Sequence, residues 1–400
     1  MKAANPGQSW LDIVQGDRGE TKAYYRFIAS SDDSEVTFEN ILKPHREQTI
    51  ARMRGQSVVL AIQDTSELNF NSLNACTGLG INGKNSIKGA GSKGLKLHST
   101  FVVNDDGGLP LGVLRSDCYA RKSTPGRSSS KRSELPIEKK ESYRWIAGIK
   151  DCAEVARGLS DTRVVCVADR EADIFELFEY QQQHPEVELL IRAAHERASL
   201  RRSHESLFKQ LRSSELKACF ELEVPARSAR AAKSSQESSN GSPARSAKMQ
   251  LRYKSIELPP PDLKLHRNKQ PIKLWMVHLV EVDAPADIKP IEWFLITTRP
   301  VKNAADALQC VRWYRARWRI EEWHRVLKSG CNIEKVKNRT AGNIKRAIAV
   351  DLVVAWRIML MNLLARQRGE LPAELIFTPL ELEVVKTYAQ KKTKRALYNR

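Results

Sequence analysis

Trp313-Tyr-Arg-Ala-Arg-Trp-Arg-Ile-Glu-Glu-Trp-His-Arg-Val-Leu-Lys328 sets basic, acidic and aromatic residues close together. At about 100° per residue, a helical period puts Tyr314, Arg317, Glu321 and Lys328 within roughly 60° of one another. Trp313, Ala316, Ile320, Trp323 and Leu327 gather on the other side as a core face, and Glu322 falls off the polar stripe. The stripe thus offers a phenol, a guanidinium, a carboxylate and an ammonium in a row. Taken alone it also fits an ordinary salt-bridged surface helix, because Arg317 and Glu321 form a common i,i+4 pair.

Working outward, Ser57-Val-Val-Leu-Ala-Ile-Gln-Asp64 is an apolar run ending in a carboxylate, which predicts a buried strand with Asp64 at its carboxyl end. Thr162-Arg-Val-Val-Cys-Val-Ala-Asp169 repeats the pattern, and Arg170-Glu-Ala-Asp173 opens the next helix with acids that suit its dipole. Between them, Lys96–Val103 and Leu109–Leu114 flank Asn104-Asp-Asp-Gly-Gly108, a hairpin signal, giving three antiparallel strands in succession. Glu141–Gly158 is an amphipathic helix, and Val187–Arg192 is a strand ending in arginine. The order strand–strand–strand–helix–strand–helix–strand, followed by a helix carrying Glu321, predicts an α/β, ribonuclease-H-like mixed sheet flanked by helices.

The chain has 400 residues, 41% hydrophobic and 28% charged, with a net charge of +19. That excess of positive charge points to a polyanionic partner. The sequence shows neither a signal peptide nor an uninterrupted apolar span. The nearest candidate, Ala347–Ala365, contains Asp351 and Arg357 and reads as a buried bundle helix, so no membrane partner is expected. The seven cysteines are scattered without CxxC spacing, which argues against a disulfide framework or a structural zinc and favours a reducing cytoplasm.

Residues 1–52 form a partial N-terminal helical region. Thr21–Phe27 is a helix, Ser-Ser-Asp-Asp-Ser is a stop and new cap, and Val36, Phe38 and Ile41 seed the next helix. Residues 53–207 and 289–343 form the catalytic domain, within which Arg121–Lys140 is an exposed basic loop. Residues 208–288 are an inserted β subdomain with strands near Lys217–Val224 and Lys248–Leu258. They bracket a disordered basic loop at Pro225–Ala247. Residues 344–400 hold the long apolar helix and a loose basic tail around Lys391–Arg395.

Three carboxylates, Asp64, Asp169 and Glu321, would converge in such a fold. Their repulsion requires cations, and hard oxygen donors favour magnesium or manganese. Two such ions would activate an attacking hydroxyl and stabilise the leaving oxygen of a phosphodiester.

Asp64 in Ile-Gln-Asp-Thr-Ser, Asp169 in Ala-Asp-Arg-Glu-Ala-Asp, and Tyr314-x2-Arg317-x3-Glu321-x6-Lys328 resemble the signature of bacterial DDE transposases of the insertion-sequence-four, transposon-five-like branch. Tyr24-Tyr-Arg-Phe27, Glu141-Ser142 with Trp145, and Ile291-Glu-Trp293 extend the resemblance over roughly residues 15–370. It implies that Asp64, Asp169 and Glu321 are catalytic and hold two Mg2+ ions, with Mn2+ as an alternative. It also implies that Tyr314, Arg317 and Lys328 grip phosphates of DNA. Trp293 would stack on a flipped base, and Arg170 and Arg192 would lie near the transferred strand. The activity implied is cut-and-paste transposition by a homodimer on transposon ends and target DNA, in a bacterial cytoplasm and at the nucleoid. Two departures are expected to matter. Most of the family's N-terminal end-recognition segment is missing, and the chain stops soon after the Ile344–Arg366 helix. A truncated copy that regulates without transposing, and a ribonuclease-H-like nuclease or resolvase, are the alternatives.

Overall fold

The computed structural model describes residues 18–84, 91–121, 134–197, 205–226, 243–263, 266, 268–286 and 288–398. Two helices lead, α1 (Arg18–Ile28) and α2 (Phe38–Met53). The cap of α2 is Thr37, whose hydroxyl accepts from the Asn40 N–H, rather than the preceding serine–aspartate run. Then come β1 (Val58–Asn69), β2 (Gly80–Lys84), β3 (Gly91–Asn104) and β4 (Pro110–Tyr119), followed by α3 (Tyr143–Arg157), β5 (Arg163–Ala168), α4 (Phe175–Gln183) and β6 (Val187–Arg192). The Asp-Gly-Gly hairpin signal is realised between β3 and β4, with Gly107 and Gly108 both at positive φ, where a side chain would be strained. One short strand, β2, was not anticipated. It pairs with β3 alongside the expected trio.

After α5 (Leu207–Arg212), the inserted strands β7 (Ala218–Val224), β8 (Arg245–Leu258) and β9 (Ile272–Val282) return to β10 (Glu292–Thr297). The expected loops at 122–133 and 227–242 lie outside the described residues, as does the chain before residue 18. All ten described strands form one mixed sheet, ordered β2-β3-β1-β5-β6-β10-β9-β8-β7, with β4 on the outer side of β3. β1, β5 and β6 are parallel neighbours, while β10 runs antiparallel to both β6 and β9. The inserted strands therefore continue the central sheet through the β9–β10 pairing.

Alternation sends Leu60, Ile62, Val165, Val167, Leu190 and Leu295 to one face of the sheet. There they meet α6 (Ala304–Ala316), α7 (Trp318–Arg325) and α8 (Ala341–Gln367). The intervening residues Val59, Ala61, Val164, Cys166 and Leu189 face α3 and α4 in a second core around Trp145 and Phe178. Trp323 of α7 is fully buried, stacks on Phe101 at 4.8 Å between ring centroids, and donates its indole N–H to the Leu352 carbonyl at 3.4 Å.

Among the described residues, α8 is the helix long and apolar enough to cross a membrane. Here Ile344, Ile348, Leu352 and Met359 are packed in the first core, and Arg346 and Asp351 are buried with them. Arg346 pins the α1–α2 connection by donating to the carbonyls of Ile28, Ser31 and Val36 and to Asp32. The tail expected to be loose lies in a helix, α9 (Pro379–Tyr398).

Trp323 ties the site-bearing helix to both the sheet and α8. Replacing it with alanine should lower the unfolding free energy by about 3–5 kcal/mol, measured by denaturant titration. A loss within about 0.5 kcal/mol, typical of a surface position, would mean that α7 is held by something else.

Candidate active site

The β1–β5 ladder reaches Ile62 opposite Val167. Strand alternation carried two residues past that pair puts Asp64 and Asp169 on the face covered by α6–α8, and the Asp169 charge bears on Asp64. Asp64 was expected at the end of its strand. It lies mid-strand instead, because β1 continues to Asn69 against β3 after its parallel partner has stopped. Asp169 caps a 3-10 turn (Arg170–Ala172), accepting the Glu171 N–H at 2.9 Å. The helix proper begins only at Phe175.

The Trp313–Lys328 stretch is not one continuous helix. α6 and α7 meet at Arg317, where the Arg317 N–H bonds back three residues to the Tyr314 carbonyl. α7 then widens into a π-helical turn (Val326–Gly330), closed by the Cys331 N–H donating to the Val326 carbonyl. A tight joint and a wide turn depart locally from the 3.6-residue period, yet Arg317 lies 5.8 Å from the Tyr314 ring and bonds to Glu321, so these three keep a shared face. Tyr314 is buried, with Trp293 edge-on at 5.1 Å and Arg192 within hydrogen-bonding reach. Lys328 lies beyond Glu321 on the π turn, half-buried, and its charge bears on His324. The core face fares as expected, with Trp313, Ile320, Trp323 and Leu327 all buried.

Arg317 joins the acids. One arm donates to Glu321 Oε1 at 2.5 Å, and the other stands 4.0 Å from Asp64 Oδ2. The neighbouring Glu322 is turned away, pairing with Arg319 at 2.7 Å, and Arg319 in turn donates to the Gly107 carbonyl of the hairpin. Burial pushes the Asp64 carboxyl up to about 7. The charges of Asp169 and Glu321 push the same way, while Arg317 and the Thr65 N–H, 2.8 Å from Asp64 Oδ1, oppose them. Arg192, on the last residue of β6, is held below its usual value first by burial, with the charges of Arg170 and Arg317 adding to it. Arg170 itself is exposed. Asp64, Asp169, Glu321, Arg317, Tyr314, Arg192 and Trp293 are therefore one neighbourhood, with Arg170 and Lys328 at its margins.

Sequence reasoning missed several groups. His324 is buried with Nδ1 4.0 Å from Asp64 Oδ2, and burial pushes its imidazole down to about 3, so it is neutral. Its spacing of one helical turn from Glu321 was a usable signal. Behind Asp64, on the opposite face of β1, Gln63 and Thr65 bind the buried His98. Strand alternation marks those two positions, but nothing local marks His98.

The donor set suits a hard divalent cation: three carboxylates, one of them with its proton affinity raised first by burial and then by the charges of the other two. As they stand, no three His, Cys, Asp or Glu side chains among the described residues are grouped to hold a metal. The Arg317 guanidinium supplies positive charge between Asp64 and Glu321.

A ribonuclease-H-like sheet with carboxylates on neighbouring parallel strands and a third on a covering helix defines the class. Within it, the sequence pattern of the Transposase DDE domain family matches residues 147–354, just over half of the chain, and the chain belongs to that family. The match takes in Asp169 and Glu321, while Asp64 lies before it.

Folding raises the Asp64 carboxyl from an unfolded value near 4 to about 7. The folded protein then holds the extra proton across that interval, and stability in chelator should fall as pH rises from about 4 to about 7. Asp351, also pushed up to about 7 by burial, contributes in the same window. The informative quantity is therefore the melting temperature of Asp64→Asn minus that of wild type. It should be more positive at pH 8 than at pH 5, and an equal difference at both would contradict the assigned shift.

Proposed function

We propose that this DDE transposase cuts DNA at the ends of its element and joins the freed 3′ hydroxyls to target DNA, and that it belongs to the insertion-sequence-four branch. Asp64, Asp169 and Glu321 are the proposed ligands of two Mg2+ ions, with Mn2+ able to replace them. When bound, such ions lower the charge of the acid group, activate the attacking oxygen and stabilise the leaving one. The observation that supports the reading is Arg317 reaching both Asp64 and Glu321 while the charges of Asp169 and Glu321 bear on Asp64.

The remaining groups then act on the strand itself. Arg317 and Tyr314 take a phosphate beside the acids, and Arg192 and Arg170 accompany the same backbone along the ends of β6 and β5. Lys328 extends the grip from the π turn. Trp293, half-buried against Tyr314, supplies an indole whose face stacks on an unpaired base. A homodimer holding two ends is the assembly that paired joining requires. The branch assignment rests on the Tyr314–Arg317–Glu321–Lys328 motif.

Asp64→Asn, Asp169→Asn and Glu321→Gln should each lower Mg2+-dependent cleavage of element-end DNA by at least about 100-fold, as loss of a single preorganised electrostatic group does. Glu322→Gln, which only breaks the Arg319 pair, should stay near wild type. Equal losses for Glu321→Gln and Glu322→Gln would reject Glu321 as the third acid. Cleavage without strand joining in the wild type would support a nuclease instead.

Duplex affinity, measured by fluorescence anisotropy, should drop roughly 10³-fold between about 50 and 200 mM salt as phosphate contacts release counterions. An affinity that barely moves would point away from DNA as the partner of the +19 charge.

A further inference from the structure

Asp64 and Asp169 both lie beyond the last β1–β5 pair, Ile62 opposite Val167. Past that point the ladder no longer sets the distance between the two strands, yet two aspartates sharing ions need a fixed separation. One side chain crosses the gap from behind. Arg144, near the start of α3, donates through Nε to Thr65 Oγ1 at 3.1 Å and through Nη2 to Glu171 Oε2 at 2.9 Å. Its Nη1 donates to the Glu141 carbonyl at 2.9 Å, which steadies the guanidinium on its own helix.

The two residues it holds have matching roles. Thr65 directs its backbone N–H to Asp64, and Glu171 directs its own to Asp169. Each aspartate is thus oriented by a main-chain donor whose side chain ends on the same guanidinium. The chain of bonds continues with a fixed polarity. Gln63 Oε1 can only accept, so His98 Nε2 carries the hydrogen toward it at 3.2 Å. Burial keeps the ring neutral, so Nδ1 accepts the Thr65 hydroxyl at 2.9 Å, and Thr65 Oγ1 accepts from Arg144. His98 is fully buried, edge-on to Trp145 at 4.7 Å, and the Gln63 amide fills the space that Gly148 of α3 leaves open, where a Cβ would lie 2.4 Å from its Oε1. Gln63 and Thr65 are therefore locked on one face of β1, which fixes Asp64 on the other.

A surface Arg–Glu pair contributes little by itself, and Glu171 is largely exposed. Arg144 differs in being only 12% exposed and in spending its donors on two separate chain segments and its own helix.

We propose that Arg144 is a positioning residue that fixes the separation of Asp64 and Asp169 by holding Thr65 and Glu171 from behind the sheet. The inference rests on the reading of those aspartates as metal ligands. The test titrates Mn2+ into full-length protein, following the free ion by electron paramagnetic resonance, and measures duplex affinity in chelator and melting temperature in parallel. Arg144→Ala should weaken Mn2+ binding by about 10- to 100-fold, as loss of an outer-layer partner does, with chelator-measured DNA affinity within about twofold of wild type. Cleavage at saturating DNA should recover toward the wild-type rate as Mn2+ is raised. Arg144→Lys, able to reach one partner at a time, should fall between. Thr65→Val keeps the shape and removes one arm, so it should move Mn2+ affinity in the same direction, and it carries the test if Arg144→Ala does not fold.

Unchanged Mn2+ affinity in a destabilised Arg144→Ala protein would leave only a structural role and overturn the proposal. So would a loss of DNA affinity in chelator with a salt slope reduced by about one, the mark of a direct phosphate contact. Asp64→Asn and Asp169→Asn separate the layers of the argument. If they bind Mn2+ as wild type does, the ligand assignment itself fails. If they abolish binding while Arg144→Ala does not weaken it, only the positioning role fails.

Discussion

Bringing three carboxylates to one half-buried place is the constraint that most of this molecule answers. Burial raises a carboxyl's proton affinity and neighbouring like charges raise it further, as Asp64, pushed up to about 7, records. The fold offsets this with donors already in position. Arg317 lies between Asp64 and Glu321, and main-chain N–H groups of Thr65 and Glu171 point at the two aspartates. Arg192 and Arg170 add positive potential from neighbouring strand ends. Compensation remains incomplete, since the Asp64 carboxyl still stands at about 7. A fully neutralised group of acids would gain little from a divalent cation.

Such a balance survives only on a rigid support. Three parallel strands, buried on both faces, set the level of Asp64, Asp169 and Arg192, and β10 brings Trp293 into line from the antiparallel side. The insertion adds stiffness at the same edge. Because β7, β8 and β9 extend the sheet, β10 is paired on both sides, and Trp293 lies opposite Leu279 in the ladder. Were the insertion a separate lobe, β10 would be an edge strand and Trp293 would sit on its most mobile part.

Much of this was legible in the sequence because it rests on short-range rules. Apolar runs bounded by Asp64 and Asp169, the Asp-Gly-Gly turn and the alternation of strands with amphipathic helices specify a ribonuclease-H-like order without knowledge of contacts. What escaped was set by partners distant in sequence. The continuation of β1 past Asp64 depends on β3, and the attachment of the inserted strands depends on a β9–β10 ladder. His98 becomes part of the site only because it faces Thr65 across two strands. The basic run at Lys391–Arg395 reads as solvated tail by composition, yet it continues a helix begun at Pro379.

The stretch Trp313–Lys328 is the most instructive, since it keeps its polar and core faces through a tight joint at Arg317 and a π turn at Val326–Gly330. On an unbroken helix, Tyr314 and Arg317 share a face and both look toward the same surroundings. They stay neighbours across the joint at Arg317, the guanidinium lying 5.8 Å from the Tyr314 ring. α6 can bury Tyr314 against Trp293 and Arg192, while Arg317 turns to the acids as the first residue of a new segment. The π turn repeats the device at the other end, seating Leu327 in the core while carrying Lys328 beside His324. Irregular turns of this kind cost backbone hydrogen-bond quality and persist where a site needs side chains at angles the regular helix does not offer. The spacing of the motif therefore accommodates one tight joint and one wide turn while keeping Tyr314, Arg317 and Glu321 together.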